Sequence, residues 1–239
     1  MKQVVLITGG TSGIGLALAD AFIEQGADVA VCGRSPAALA SFSAKHPQAL
    51  AIQADVSVGE ARIALLKAVA ERFGRLDILI NNAGTFVQRD FTTGADATHD
   101  LEQEVAINLT APIQLTGEVL QRWPSPTAIV FVTSGFALIS PTRAPTYRAV
   151  KAGLHSFAEG LRRQLAAKGT HILELIPPTV DTQMNANSTG KKMAPAEVAA
   201  ATLKALARRR PMALPGDTKL LPLLLRIAPD TITRIVAKM

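Results

Sequence analysis

Six short apolar runs recur along the chain: VVLIT (4–8), DVAVC (28–32), ALAIQ (49–53), DILIN (77–81), AIVFV (128–132) and HILELI (171–176). None alternates strictly between apolar and polar residues, which is how a strand reads when both faces of its sheet are covered. Longer segments of helical period separate them, so the pattern predicts repeated strand-helix-strand units and a parallel sheet. Helix ends are marked as well. Ser35-Pro36 offers an N-cap and a first-turn proline, Ser57 to Glu60 reads as a capping box, and Gly26 is a C-terminal stop. No internal repeat, low-complexity stretch or interdomain linker interrupts this order. The expected architecture is one domain over residues 1–239: an α/β fold with a doubly wound parallel sheet in a three-layer α/β/α sandwich. Its ligand should lie at the carboxyl ends of the strands.

Composition narrows the function. With 239 residues and 48% apolar content the chain can bury a substantial core. The first apolar run is too short for a signal-peptide core and nothing reaches membrane-spanning length, so a cytoplasmic protein is expected. The net charge of +6 is unevenly spread: residues 1–189 carry 15 Lys+Arg against 16 Asp+Glu, and residues 190–239 carry 10 against 3. The excess therefore belongs to the tail. With one tyrosine, one tryptophan and no nucleic-acid module, no nucleic-acid partner is expected. The lone Cys32, inside a strand, reads as a buried inert thiol. His46, His99, His155 and His171 have no metal-ligand spacing, and no metal is expected.

Two constellations carry chemistry. TGGTSGIG follows the first strand and opens the first helix, so Gly9, Gly13 and Gly15 stand where a backbone turns sharply and approaches a pyrophosphate, facing a helix N-terminus. The only tyrosine, Tyr147, precedes Lys151 by four residues in a helical segment, which places both side chains on one face and brings an ammonium toward a phenol.

The Gly-x-x-x-Gly-x-Gly spacing, NNAG (81–84), Asn108, Ser134 and YRAVK (147–151) occur in an order that resembles the short-chain dehydrogenase/reductase family, over roughly residues 3–215. The resemblance implies a Rossmann fold and hydride transfer between a nicotinamide and a carbonyl or secondary alcohol, with Asn108, Ser134, Tyr147 and Lys151 catalytic. Tyr147 would be the general acid/base and Ser134 would hold the substrate oxygen. Lys151 would lower the phenol's pKa and bind the nicotinamide ribose, and Asn108 would support a proton path to the lysine. Cofactor contacts would come from Gly9, Thr11, Ser12, Gly13, Ile14, Gly15, Arg34, Asp55, Val56, Asn82, Ala83, Gly84, Tyr147, Lys151, Pro177, Val180 and Thr182. Gly33 stands where the family carries an acid, and Arg34 follows it, which points to NADP(H) over NAD(H), because a guanidinium suits a 2′-phosphate. Ordinary readings stay open beside these: Arg34 as a solvated side chain, Asp55 and Ser134 as turn-stabilising groups, Asn108 as a helix-surface amide, and Val180 and Thr182 as loop residues. Pro178 departs from the family's Pro-Gly, so the backbone there should be shaped differently.

Two rivals use the same scaffold. One is a noncatalytic NADP-binding sensor or scaffold, and the other is epimerase or lyase chemistry that regenerates the cofactor. Residues 183–195 read as a substrate lid. Residues 217–239 form an apolar, basic tail that Pro222 and Pro229 divide into two helical pieces, after a seventh strand shortened to 211–215. In the second piece Ile232, Ile235, Val236 and Met239 form an apolar stripe beside Thr233, Arg234 and Lys238. A homodimer whose tail borders an apolar substrate pocket is expected, with anionic membrane surface as the alternative cover.

Overall fold

The computed structural model describes residues 2–93 and 96–237. Seven parallel strands form one sheet in the order β3-β2-β1-β4-β5-β6-β7: β1 (Val4–Thr8), β2 (Asp28–Gly33), β3 (Leu50–Gln53), β4 (Ile78–Asn81), β5 (Ala128–Val132), β6 (His171–Leu175) and β7 (Met212–Ala213). Chain order reverses between β1 and β4, which opens the crevice where ligands of such sheets bind. All six expected runs are strands. Their unbroken apolarity has the anticipated cause, because neighbouring residues point into different cores. Val4, Leu6, Cys32, Leu79, Phe131 and Ile172 pack under α3 (Gly59–Phe73), α5 (Ala111–Arg122) and α6 (Pro145–Gln164). Val5, Ile7, Val31, Ile80, Val130 and Leu173 pack under α1 (Gly13–Glu24), α2 (Pro36–Lys45) and α7 (Pro195–Ala207).

Local signals held in part. Ser35 Oγ accepts from Ala38 N at 3.3 Å and Pro36 starts α2. Gly26 takes φ +81° just past α1. The expected capping box at the start of α3 does not form. Ser57 turns back instead and donates to Asp55 Oδ1 at 2.6 Å, which leaves Val58 as the N-cap without a side-chain bond. Cys32 is buried, and desolvation pushes its thiol up to about 12, as suits an unreactive group.

The long helix expected before β5 is broken in character. Short α4 (Leu101–Val105) runs through a π turn, Ala106–Thr110, into α5. Asn108 sits within that π turn, a feature that gathers at functional sites. Nothing in the residue pattern announces it.

The seventh strand is reduced to two residues, and it pairs Glu174 with Met212 and Leu175 with Ala213. Beyond it the tail forms a 3₁₀ turn (Gly216–Leu220), α8 (Leu221–Ile227) and α9 (Pro229–Ala237), split at the expected prolines. Thr218 is buried and its Oγ1 lies 2.8 Å from Ile176 O and 2.7 Å from Pro215 O, so the start of the tail is fastened to the sheet's carboxyl edge. The apolar stripe of α9 is only partly covered. Val236 is buried, Ile235 is 56% exposed, and Lys238 and Met239 lie outside the described residues. Among the described residues no helix is long and apolar enough to cross a membrane.

Candidate active site

The glycine turn is held by steric necessity. Gly9 and Gly13 have φ of +63° and +52°, conformations that penalise a side chain. A Cβ on Gly15 would lie 2.2 Å from Gly9 O and 2.5 Å from Asn82 Nδ2, distances no folded side chain tolerates. Asn82 stitches the turn to the end of β4, since its Nδ2 donates to Thr8 O at 2.8 Å and to Gly9 O at 3.1 Å. Thr8 Oγ1 in turn accepts from the main-chain N–H groups of Asn82 and Ala83. Ser12 is the N-cap of α1 but makes no side-chain capping bond, so the first-turn amides of Gly13, Ile14 and Gly15 have no side-chain cap. Thr182 closes in from across the crevice, 2.9 Å from where a Gly13 Cβ would be.

The ends of β2 and β3 form the far side of the crevice. Arg34 is exposed at the tip of β2, and a Cβ on Gly33 would lie 3.1 Å from Thr11 Oγ1. Asp55 has the turn-stabilising function that a local reading allowed, because Ser57 N and Oγ both donate to its Oδ1. Burial pushes its pKa up, but the two Ser57 bonds and the Arg34 charge outweigh this and leave it lowered. Val56, next in the chain, is buried in the core under α3.

The second half of the site is built around Lys151, which is buried and donates from Nζ to Val132 O at 3.1 Å, at the end of β5. Nζ lies 5.7 Å from the Tyr147 ring centroid, so the four-residue spacing does bring the pair together. Asn108 is wholly buried rather than on a helix surface. Its Nδ2 donates to Thr85 O at 3.0 Å and to Glu104 O at 3.1 Å, while its Oδ1 accepts from Thr85 N at 3.3 Å. A Cβ on Gly84 would lie 2.8 Å from Asn108 Oδ1 and 3.5 Å from Lys151 Nζ, so NNAG, Asn108 and Lys151 meet at one point. Ser134 does two things. Its Oγ accepts from Phe136 N at 3.2 Å, and the same side chain hydrogen-bonds Tyr147.

After β6, Pro177 O accepts from Gly135 N at 3.3 Å, and Val180 forms a parallel bridge with Met193. The proposed lid thus leaves and rejoins the body at neighbouring points. Pro178 packs beside Gly216, where a Cβ would lie 3.4 Å from both Pro178 Cγ and Met193 Sδ. The departure from Pro-Gly is accommodated by a glycine elsewhere, at φ +60°.

A model of the short chain dehydrogenase family matches residues 3–193. The chain belongs to that family. An uncharacterized oxidoreductase of Bacillus subtilis (strain 168), DltE, is 39% identical over 194 residues, 80% of this chain and 77% of the relative. A short-chain dehydrogenase from Streptomyces avermitilis superposes with a TM-score of 0.83 at 27% identity, covering 98% of this chain and 96% of that one. Actinorhodin polyketide ketoreductase, solved with NADPH, has a TM-score of 0.80 at 26% identity, with 88% and 92% covered. Membership makes the protein an oxidoreductase that works with a nicotinamide cofactor.

In this short-chain dehydrogenase the residues present fit such a group: a side-chain-free cradle at Gly9, Gly13 and Gly15 meets first-turn amides that no side chain caps. Electrostatics around Tyr147 and Lys151 differ from the sequence expectation. Lys151 does not bring the phenol down. Burial pushes Tyr147 up to about 12, the Ser134 bond offsets part of that, and the Glu104 charge adds to the rise. Burial also brings Lys151 down to about 8. Desolvation disfavours both charged forms and is the largest cause of both shifts.

Several participants were not legible as site residues. Thr8 anchors the NNAG backbone, and Gly10 could not carry a side chain, since a Cβ there would lie 2.5 Å from Val31 Cγ1. Glu104 is buried beneath the site, where its Oε2 accepts from Thr146 Oγ1 at 2.7 Å and from Arg89 Nε and Nη2 at 3.2 Å. Two of these stood within reach of sequence reasoning: Glu104 precedes Asn108 by four helical positions and Thr146 immediately precedes Tyr147. Arg89, in an irregular loop, offered no signal. A second buried group, Glu174, accepts from Thr133 Oγ1 at 2.7 Å and lies 2.8 Å from His155 Nδ1, backing the segment that carries Ser134.

Proposed function

We propose that the chain is an NADP(H)-dependent reductase of carbonyls and dehydrogenase of secondary alcohols, with Tyr147 as general acid/base. The observation that carries this reading is the meeting of Tyr147, Ser134, Lys151, Asn108 and Gly84 at the carboxyl ends of β4 and β5, beside the glycine turn. When bound, the nicotinamide would supply or accept the hydride. Ser134 Oγ orients the substrate oxygen, and the Tyr147 hydroxyl gives it a proton during reduction or removes one during oxidation. Lys151 would hold a positive charge near the phenol and bind the cofactor's ribose, while Asn108 fixes the Thr85 backbone. Incubating the protein with NADPH and a carbonyl panel tests the reaction class. Stoichiometric NADPH oxidation is expected, whereas substrate turnover without net oxidation would replace it with epimerase or lyase chemistry.

Cofactor choice rests on Arg34. It is exposed at the tip of β2, at the adenosine end of the crevice, and the strand ends in Gly33 rather than in an acid. Arg34 with Thr11 and Ser12 would receive a 2′-phosphate, with Asp55 and Val56 nearer the adenine. Arg34→Ala should lower kcat/KM for NADPH roughly 10- to 100-fold, the range for losing a hydrogen bond between charged groups, and leave NADH nearly unchanged. Equal losses with both cofactors, or a wild-type preference for NADH, would overturn the assignment.

The pH dependence separates Lys151 from Tyr147. Reduction needs a protonated tyrosine and a charged lysine. With Tyr147 near 12 and Lys151 near 8, the alkaline fall in kcat/KM for NADPH, measured at saturating carbonyl, should centre near 8, where the lysine gives up its proton. A profile flat to pH 10 would remove the lysine's charge from the mechanism.

The same reading takes residues 183–195 as a lid over the substrate, within one catalytic unit that works as a cytoplasmic homodimer. The tail's first turn walls the site, since Thr218 and Leu221 stand beside Gly135, one residue past Ser134. Leu223 and Ile227 of α8 are 55% and 66% exposed, which suits a partner subunit's cover.

A further inference from the structure

Arg143 is a cation beside the site that no carboxylate among the described residues balances. It lies in the loop joining Ser134 to α6, two residues before Pro145 begins that helix. Its Nε is buried without a hydrogen-bond partner. Among the described residues its side chain enters no ion pair, whereas Arg89 is committed to Glu104 and Lys151 to Val132 O. Its guanidinium Cζ lies 5.8 Å from the Phe86 ring centroid. Phe86 in turn meets the Tyr147 ring edge-on, with centroids 4.9 Å apart and planes at 84°. Phe86 therefore touches both the guanidinium and the catalytic phenol ring.

Both ends of this stack are held by the main chain. Arg143 O accepts from Arg89 N at 3.0 Å. Phe86 follows Thr85, whose backbone N and O are both bonded by Asn108. The cation is half-buried, so it is partly stripped of water and partly exposed. A desolvated donor fork with no internal acceptor is complementary to a planar carboxylate.

We infer that Arg143 forms an anion-recognition subsite, and that the substrates of this enzyme are keto acids, or the corresponding hydroxy acids, with the carboxylate several bonds from the reacting carbonyl. The spacing follows from the stack. Among the described residues the guanidinium stacks on Phe86 and the cation on the Tyr147 ring is Lys151, so a carboxylate held by Arg143 would lie a ring's width or more from the carbon that receives the hydride. The chain linking the two groups would run along the Phe86 ring. This inference rests on the carbonyl-reductase reading for which atom reacts, but the anion subsite itself does not depend on turnover.

Calorimetric titration of the NADPH-saturated protein with hexanoate and with hexanamide, probes of the same length that differ in charge, tests it. Hexanoate should bind at least about tenfold more tightly, as a charge-assisted bidentate contact requires. Arg143→Gln should reduce the difference to under about threefold, and Arg143→Lys, which keeps charge but loses the fork, should fall between. In steady state, levulinate should outperform its methyl ester in kcat/KM, and the longer homologous keto acid should outperform levulinate. Equal affinities for the two probes, no binding of either, or an undiminished preference in Arg143→Gln would overturn the subsite. If the hexanoate preference depends on Arg143 while no carbonyl is reduced, the subsite stands and the catalytic reading fails.

Discussion

Replacing Tyr147 with phenylalanine is expected to lower kcat for carbonyl reduction roughly 100- to 10,000-fold, the contribution of a positioned proton donor. The ring would stay in place. Its edge-on contact with Phe86 and its proximity to Lys151 Nζ do not involve the hydroxyl. NADPH affinity should therefore change little, and the loss should appear equally in kcat and kcat/KM for the carbonyl, the signature of an interaction made in the transition state. Single-turnover measurement with saturating NADPH makes the comparison cleanly. A variant that retains kcat would remove Tyr147 from proton transfer, and one that loses NADPH binding as well would show that the hydroxyl helps to hold the cofactor.

Arg89→Met should be the most destabilising change near the site. Arg89 and Glu104 side chains are 2% and 0% exposed, and Glu104 Oε1 already has no hydrogen-bond partner. Removing the guanidinium strands a buried carboxylate, which costs about 3–5 kcal/mol. For a chain of this size that corresponds to a fall in Tm of roughly 6–20 °C. The same substitution frees the 97–99 backbone, since Arg89 Nη1 also donates to Ala97 O and His99 O. Thermal unfolding of Arg89→Met and of the double variant Arg89→Met with Glu104→Leu tests this: the double variant should recover much of the loss, because two apolar side chains of similar volume no longer bury a charge. A single variant that melts within about 2 °C of wild type would show that the pair contributes little to native stability.

How much was legible depended on whether the constraint was local. The strands could be read because burial on both faces leaves no polar positions, and the glycine turn because a helix N-terminus at a sheet edge needs positive φ and bare backbone. Tyr147 and Lys151 could be paired because helical geometry alone fixes their relation. Ser57 was misread for the complementary reason. A capping box and an Asx-type turn compete for the same hydroxyl, and the Asp55 carboxylate two residues away won it.

Residues far apart in the chain were legible only by resemblance. Asn108 is set by a π turn with no residue signature, and its meeting with Gly84 and Lys151 depends on how α5 and α6 pack on the sheet. Arg89 and Glu104 were not read as a pair at all, since they join an irregular loop to a helix across 15 residues.

By itself the sequence determined the elements, their order, the glycine turn and the helical pairing of a phenol with an ammonium, because each follows from backbone geometry within a few residues. The direction in which that pairing shifts the two groups was decided by the tertiary structure. Proximity suggested an acidified tyrosine, but enclosure raises Tyr147 to about 12 and lowers Lys151 to about 8. Attraction between two charges depends on a separation the helix fixes, whereas their desolvation depends on everything packed around them, and only the folded chain supplies that.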